Sequence, residues 1–165
     1  MKTKKYFITF ILLLLSFSYS YSQTSYGFND GLSSAKTSGK KVFIEIYTDS
    51  DNWSKKMDSE VFSSSKVQGL LSDFAFIKLN PESPGKYSFE NREYSGAELA
   101  KLFGATGYPT FVVLNSNGNV IKYKYNGEEV TNISGFVGAD DFAEMLSYFI
   151  NNKYKDTDLS SVFQN

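Results

Sequence analysis

Val42-Phe-Ile-Glu-Ile-Tyr-Thr-Asp-Ser-Asp-Asn-Trp-Ser-Lys-Lys-Met57 passes through three kinds of local structure in one short stretch. Val42 to Tyr47 is a β-branched and aromatic run, too apolar for a solvated edge, and predicts a buried central strand. Thr48 to Trp53 is polar and predicts a loop. From Ser54 onward, Met57, Val61 and Phe62 fall near helical spacing, which predicts a helix.

Toward the N-terminus, Asn29 to Ser38 reads as a short helix with Leu32 and Ala35 on one face, ended by Gly39. Toward the C-terminus, Val67, Leu70 and Leu71 predict a further helical turn or two, and Phe74 to Leu79 a second buried strand. Asn80 to Asn91 is a polar connection carrying Pro81, Pro84 and Gly85. Ala97 to Phe103 reads as a helix that stops at Gly104. Pro109 opens the strand Thr110 to Leu114, and the turn Asn115-Ser-Asn-Gly118 leads into Val120 to Tyr125, which predicts a β-hairpin. Ala139 to Asn151 is an amphipathic helix that buries Phe142, Met145, Leu146 and Phe149, with Asp140 and Asp141 favourably placed in its first turn. Residues 153–165 read as a polar, frayed tail. Strands alternating with helices, then a hairpin and a terminal helix, predict an α/β domain whose mixed sheet is covered on both faces.

The first residues carry the marks of export. Lys2, Lys4 and Lys5 form a positive n-region, Tyr6 to Leu15 an apolar run, and Ser20 and Ser22 a small-residue cleavage site before Gln23. The apolar run is shorter than the ~20 residues that span a bilayer. Residues 1–22 are therefore expected to be a signal peptide, 23–152 the domain, and the mature protein periplasmic or secreted, with no membrane attachment.

The 165-residue chain has no cysteine and no histidine, but 15 Phe and 12 Tyr. An exported domain without disulfides must be held by packing, which large aromatic side chains supply. The missing histidine removes the commonest general base and transition-metal ligand. Removing the three leader lysines leaves 14 basic against 18 acidic residues, with no basic cluster, so no nucleic-acid partner is expected.

Two segments carry a family resemblance. Asp51-Asn-Trp-Ser-Lys-Lys-Met57, followed by Glu60-Val-Phe62, resembles the exported thioredoxin-like domains whose helix begins C-x-W-C-K-K-M and continues into E-V-F. Gly107-Tyr-Pro-Thr-Phe111 is similar to the superfamily's cis-proline loop. The resemblance covers Asn29 to Asn151 and implies a thioredoxin fold with a cis bond at Tyr108–Pro109. It also places Asp51 and Ser54 where the attacking and resolving cysteines would stand, with Asn52 and Trp53 between them. Disulfide exchange needs a thiolate to attack sulfur and a second thiol to release the mixed disulfide, and neither carboxylate nor hydroxyl can replace them. Thiol–disulfide oxidoreductase activity is not expected, and no cofactor is implied.

Other uses of the altered site follow from its residue types. Asp51 suits an N-cap, and Ser54 would cap a helix that began three residues later. Asp49, Asp51 and Glu60 match positions 1, 3 and 12 of a calcium loop, but Trp53 and Ser54 break the template, so no metal is expected. Asp51 as base with Tyr108 as acid would make a non-redox enzyme, although a helix N-terminus favours the charged carboxylate. In the family, the cis-proline loop presents backbone groups to an extended peptide. That resemblance implies a peptide- or protein-binding patch of Tyr108, Pro109 and Thr110 beside Trp53. A scaffold with no activity at this site is the remaining alternative.

Overall fold

The computed structural model describes residues 24–163, so the signal-peptide reading of residues 1–22 and the cleavage before Gln23 lie outside the described residues. Helix α1 (Phe28–Ser38) ends on Gly39, whose φ of 72° is the left-handed conformation that favours glycine. Strand β1 (Lys41–Ile46) leads to α2 (Asn52–Lys56), which continues directly into a π-helical turn (Met57–Val61) and, after a turn, α3 (Ser65–Leu71). Next come β2 (Phe74–Leu79), the short strands β3 (Tyr87–Phe89) and β4 (Arg92–Tyr94), and α4 (Gly96–Leu102). The chain closes with β5 (Thr110–Leu114), β6 (Tyr123–Tyr125), β7 (Glu128–Val130), β8 (Asn132–Ser134) and α5 (Ala139–Ile150).

Four strands form the central sheet in the order β2-β1-β5-β8. Strand β1 runs parallel to β2 and antiparallel to β5, so it is the buried central strand its composition predicts. Side chains alternate across it. Phe43 joins Phe74, Phe76, Phe111 and Val113 on one face, under α3 and α5. Val42, Ile44 and Ile46 join Ala75, Ile77 and Val112 on the other, under α1 and α4. Helix α1 comes close enough to β2 that a Cβ on Gly31 would lie 2.5 Å from Ile77 Cγ1. The fold is thus α/β, a mixed sheet with helices on both faces.

The predicted hairpin of residues 110–125 needs correction. The turn is present: Gly118 N–H donates to Asn115 O at 2.9 Å, and Asn115 Oδ1 accepts from Asn117 N and Asn119 N. Pairing with β5 stops after Ile121 N–H donates to Val113 O. The chain then leaves the sheet, β6 pairs with β7, and the place beside β5 is taken by β8. Aromatic packing accounts for the departure, because buried Tyr123 meets Phe149 of α5 edge-on at 5.1 Å.

The polar connection 80–91 also contains structure. Strand β3 lies in it and pairs with β4 across Glu90 and Asn91, both at positive φ, and Phe89 packs on Phe28 and Phe103.

Nor are residues 153–163 frayed. Leu159 is fully buried, and Tyr154, Val162 and Phe163 pack against the same core. Asp158 accepts from the N–H groups of Asn126 (3.1 Å) and Gly127 (2.7 Å) in the β6–β7 turn, and from Ser160 N and Oγ. Tyr148 Oη donates to Thr157 O at 2.8 Å. Polar composition concealed this docking because only four apolar anchors are needed, three within two 3-10 turns (Lys153–Lys155 and Leu159–Val162) and Phe163 just after the second, with no helical period.

Candidate functional site

The helix-start motif and the proline loop meet at one end of the sheet. Ile46, the last residue of β1, lies opposite Thr110, the first of β5. The loop after Ile46 therefore enters α2 close to where Pro109 delivers the chain into β5, and the Tyr108–Pro109 bond is cis.

Asp51 is the N-cap of α2, with extended φ/ψ of −75° and 126°. Its Oδ2 accepts from Ser54 N–H at 2.6 Å and from Ser54 Oγ at 2.9 Å. The helix therefore starts at Asn52, two residues before the sequence reading places it, and Ser54 is the capped partner, not the cap. Ser54 is buried, whereas Asn52 is exposed. Removing a cap of this kind costs about 1 kcal/mol. Asp51→Ala is expected to lose about that much stability in urea unfolding, and Asp51→Asn much less, because an amide oxygen still accepts. Equal losses in the two variants would assign the effect to charge instead of capping. Asp49 accepts from Asn80 Nδ2 at 3.1 Å.

Trp53 is 53 % exposed and does have an aromatic partner, but it is Phe136, not Tyr108. The two ring centroids are 5.7 Å apart, tilted by 36°. Lys56 Nζ lies 4.4 Å from the Phe136 centroid and 5.5 Å from that of Trp53, and also 3.7 Å from Glu60. Phe136 reaches this position through the sheet: Thr110 Oγ1 lies 2.7 Å from Ser134 Oγ, and Gly135 N–H donates to Pro109 O at 2.7 Å. Sequence reading missed Phe136 because it sits outside any periodic element. Its one signal is a large aromatic residue in the glycine-bounded loop Gly135-Phe-Val-Gly138.

Tyr108 turns its ring toward the cluster under α1 and α4. Among the described residues no hydrogen bond engages its backbone N–H or C=O. Its neighbours are fixed, since Thr110 is fully buried and donates through Oγ1 to Gly107 O at 2.7 Å. The loop is thus held on both sides while the Tyr108 peptide groups stay unpaired.

A charged cluster lies beneath this surface. Glu45 is fully buried in β1, in register with Lys78 on one side and Phe111 on the other. Lys78 Nζ stands 3.2 Å from Glu45 Oε2 and also pairs with Asp58 of the π-helical turn. The Tyr47 and Phe62 rings lie 4.5 and 5.4 Å from the same ammonium. Neither Glu45 oxygen has a well-aligned hydrogen-bond donor. Burial, against the pull of Lys78 and with the added push of Asp58, raises the Glu45 carboxyl to about 7. Lys78 is also raised: burial alone would lower it, but Glu45 and Asp58 together outweigh that. The sequence held a clue in the single carboxylate inside an otherwise apolar strand.

A mixed sheet with helices on both faces, and a helix start beside a cis-prolyl loop, define a thioredoxin fold. Residues 28–150 match the model of the thioredoxin-like domain family, and the chain belongs to that family. Among curated proteins, thiol:disulfide interchange protein DsbD of Yersinia pestis is 28% identical over 112 residues, which are 68% of this chain and 16% of that protein. The protein of the same name from Haemophilus ducreyi is 30% identical over 111 residues, 66% of this chain and 16% of its own length. The chain thus spans about a sixth of the length of these relatives. Among solved structures, a thioredoxin from Thermus thermophilus superposes with a TM-score of 0.57 at 23% identity, covering 78% of this chain and 87% of that one. The DsbD C-terminal domain of Neisseria meningitidis gives 0.51 at 20% identity, covering 75% and 97%. Both structures share the fold. Among the described residues, no helix is long and apolar enough to cross a membrane.

Proposed function

We propose that this protein is a redox-inactive thioredoxin-fold protein of the bacterial cell envelope that binds an extended peptide or protein segment across the cis-proline loop. The observation that carries the reading is the unpaired Tyr108 backbone, held rigidly at the sheet end that also presents Trp53 against Phe136. An extended peptide can complete hydrogen bonds to Tyr108 by strand addition while an apolar side chain rests on the two rings. The chain lacks the cysteines that thiol–disulfide interchange requires, so binding is the part of such a site that outlasts their loss. Export is supported by the lysine-rich start followed by a short apolar run, and a bacterial source by the relatives named above. A non-redox enzyme built on Asp51 gains no support, because Oδ2 already accepts two hydrogen bonds from Ser54.

Trp53 is the sole tryptophan, so its emission reports on this surface alone. Titration of residues 23–165 with an array of tryptophan-free extended peptides is expected to give a saturating emission change for a subset of them. Phe136→Ala should weaken binding of those peptides about tenfold, the loss of one buried aromatic contact. A flat response to the whole array would leave the scaffold reading in place, and any turnover in an insulin-reduction assay would overturn redox inactivity. N-terminal sequencing of protein recovered from the envelope is expected to begin at Gln23.

A further inference from the structure

A cleft of about 380 Å³ opens between the β6–β7 hairpin and the docked C-terminal segment. Lys122, Lys124 and Lys155 line it with Tyr154 and with two acidic residues, Glu129 and Asp156. Glu129 is already committed to Lys122 at 3.0 Å. A fourth ammonium adjoins the wall, since Lys41 Nζ lies 5.9 Å from the centroid of the Tyr154 ring. Partial burial, and then the like charge of Lys155, hold the Lys41 amine below its usual pKa. Asp158, next along the chain, is turned to the Asn126–Gly127 turn and to Ser160. Among the described residues, none of Lys41, Lys124 and Lys155 forms an ion pair.

Gathering like charges costs energy, and it does so here in a protein whose acidic residues outnumber its basic ones. Of the two acidic residues in the lining, Glu129 is paired with Lys122, which leaves Asp156 alone against Lys124, Lys155 and the neighbouring Lys41. A bound anion removes that cost, and lysines around a concave wall suit a compact, highly charged one. Tyr154, Lys155 and Asp156 also lie beyond residues 28–150, so part of this cleft is built by a segment outside the family match.

We propose that the cleft binds a compact dianion of the phosphate class, inorganic phosphate or a phosphate monoester, between Lys124 and Lys155 with Lys41 completing the positive field. The proposal is independent of the peptide-binding reading, because it uses none of the residues at the proline loop.

The test follows thermal unfolding of residues 23–165 at pH 8 in sodium phosphate, glycerol phosphate or sodium chloride at matched ionic strength. Phosphate or its ester is expected to raise Tm saturably above the chloride value. A response to both assigns the dianion itself, and a response to one alone assigns free phosphate or the ester. Lys155→Gln should show a higher Tm than the parent in chloride, because repulsion on Lys41 is relieved, together with about fivefold weaker phosphate binding. Lys153→Gln, outside the cleft lining, should retain the full response. Equal Tm values in all three salts, or an undiminished phosphate response in Lys155→Gln, would overturn the proposal. A lower Tm of Lys155→Gln in chloride would overturn it too, by showing that the lysine charge is already compensated.

Discussion

Lys78→Met is expected to destabilise the protein, and to do so by about 1 kcal/mol more at pH 8 than at pH 5. The substitution keeps an unbranched apolar stem beside Tyr47 and Phe62 but removes what is, among the described residues, the only ammonium near the buried Glu45 carboxylate. At pH 8 that carboxylate is left charged and unpaired at zero exposure, or must take up a proton against the solution pH. At pH 5 it is already protonated in the folded state, because burial raises it to about 7, and losing Lys78 then removes mainly the outer contact with Asp58. The sign follows from proton linkage. Between the ordinary glutamate value of 4.5 and the folded value near 7, the folded state binds the proton more tightly than the unfolded chain. Stability from this group is therefore complete below about pH 4.5 and is lost as pH rises through 7, by an amount on the order of 3 kcal/mol. Glu45→Gln should flatten that slope. Urea unfolding of the three proteins at pH 5 and pH 8 measures both effects, and an equal loss for Lys78→Met at the two pH values would show that the lysine acts by packing alone.

Phe142→Ala is expected to cost about 3–5 kcal/mol, independent of pH, by leaving a large cavity at the centre of one core. Phe142 is fully buried in α5 and meets Phe43, Phe62 and Phe111 at centroid distances of 5.6, 5.5 and 5.2 Å. All three contacts are edge-on, a geometry that adds to area burial. The removed ring thus unites the central strand, the segment after the π-helical turn, and β5. Phe142→Leu should retain more than half of the stabilisation, since the aliphatic side chain refills much of the volume. Leu102→Ala, at a position 48 % exposed, should fall within about 0.5 kcal/mol of the parent. Equilibrium urea denaturation separates these outcomes, and a loss below ~1 kcal/mol for Phe142→Ala would mean that α5 collapses into the space.

The same aromatic wealth explains which parts of the structure could be read from sequence. Strands β1 and β2 and helix α5 announce themselves because each satisfies one simple burial pattern over its whole length, continuous for the strands and periodic for the helix. The Asp51-to-Met57 motif and the proline loop were legible as residue types at a fixed order. Their positions at one end of the sheet follow from the register of β1 with β5. Besides the docked C-terminal segment, four features escaped. Strands β3 and β4, of three residues each, are shorter than any pattern can register. Strand β6 fails to continue the first hairpin because Tyr123 is drawn to Phe149, a contact between residues far apart in sequence. Phe136 becomes the neighbour of Trp53 only through the Gly135–Pro109 hydrogen bond, which local sequence does not encode. Glu45 stood in plain view, but the burial that raises its proton affinity, and the Lys78 ammonium that opposes the rise, come from other elements.

The Asp158 anchor has a practical consequence for where this protein can be cut. The family match ends at residue 150, yet the turn at Asn126–Gly127 is tied down from residue 158, and the hydrophobic side of the last long helix is roofed by Leu159. A fragment trimmed to the borders of the family would keep every recognisable landmark and expose an oily flank to water. The cooperative unit of this molecule is therefore longer than its recognisable ancestry, and its final turns are part of the foundation on which the rest stands.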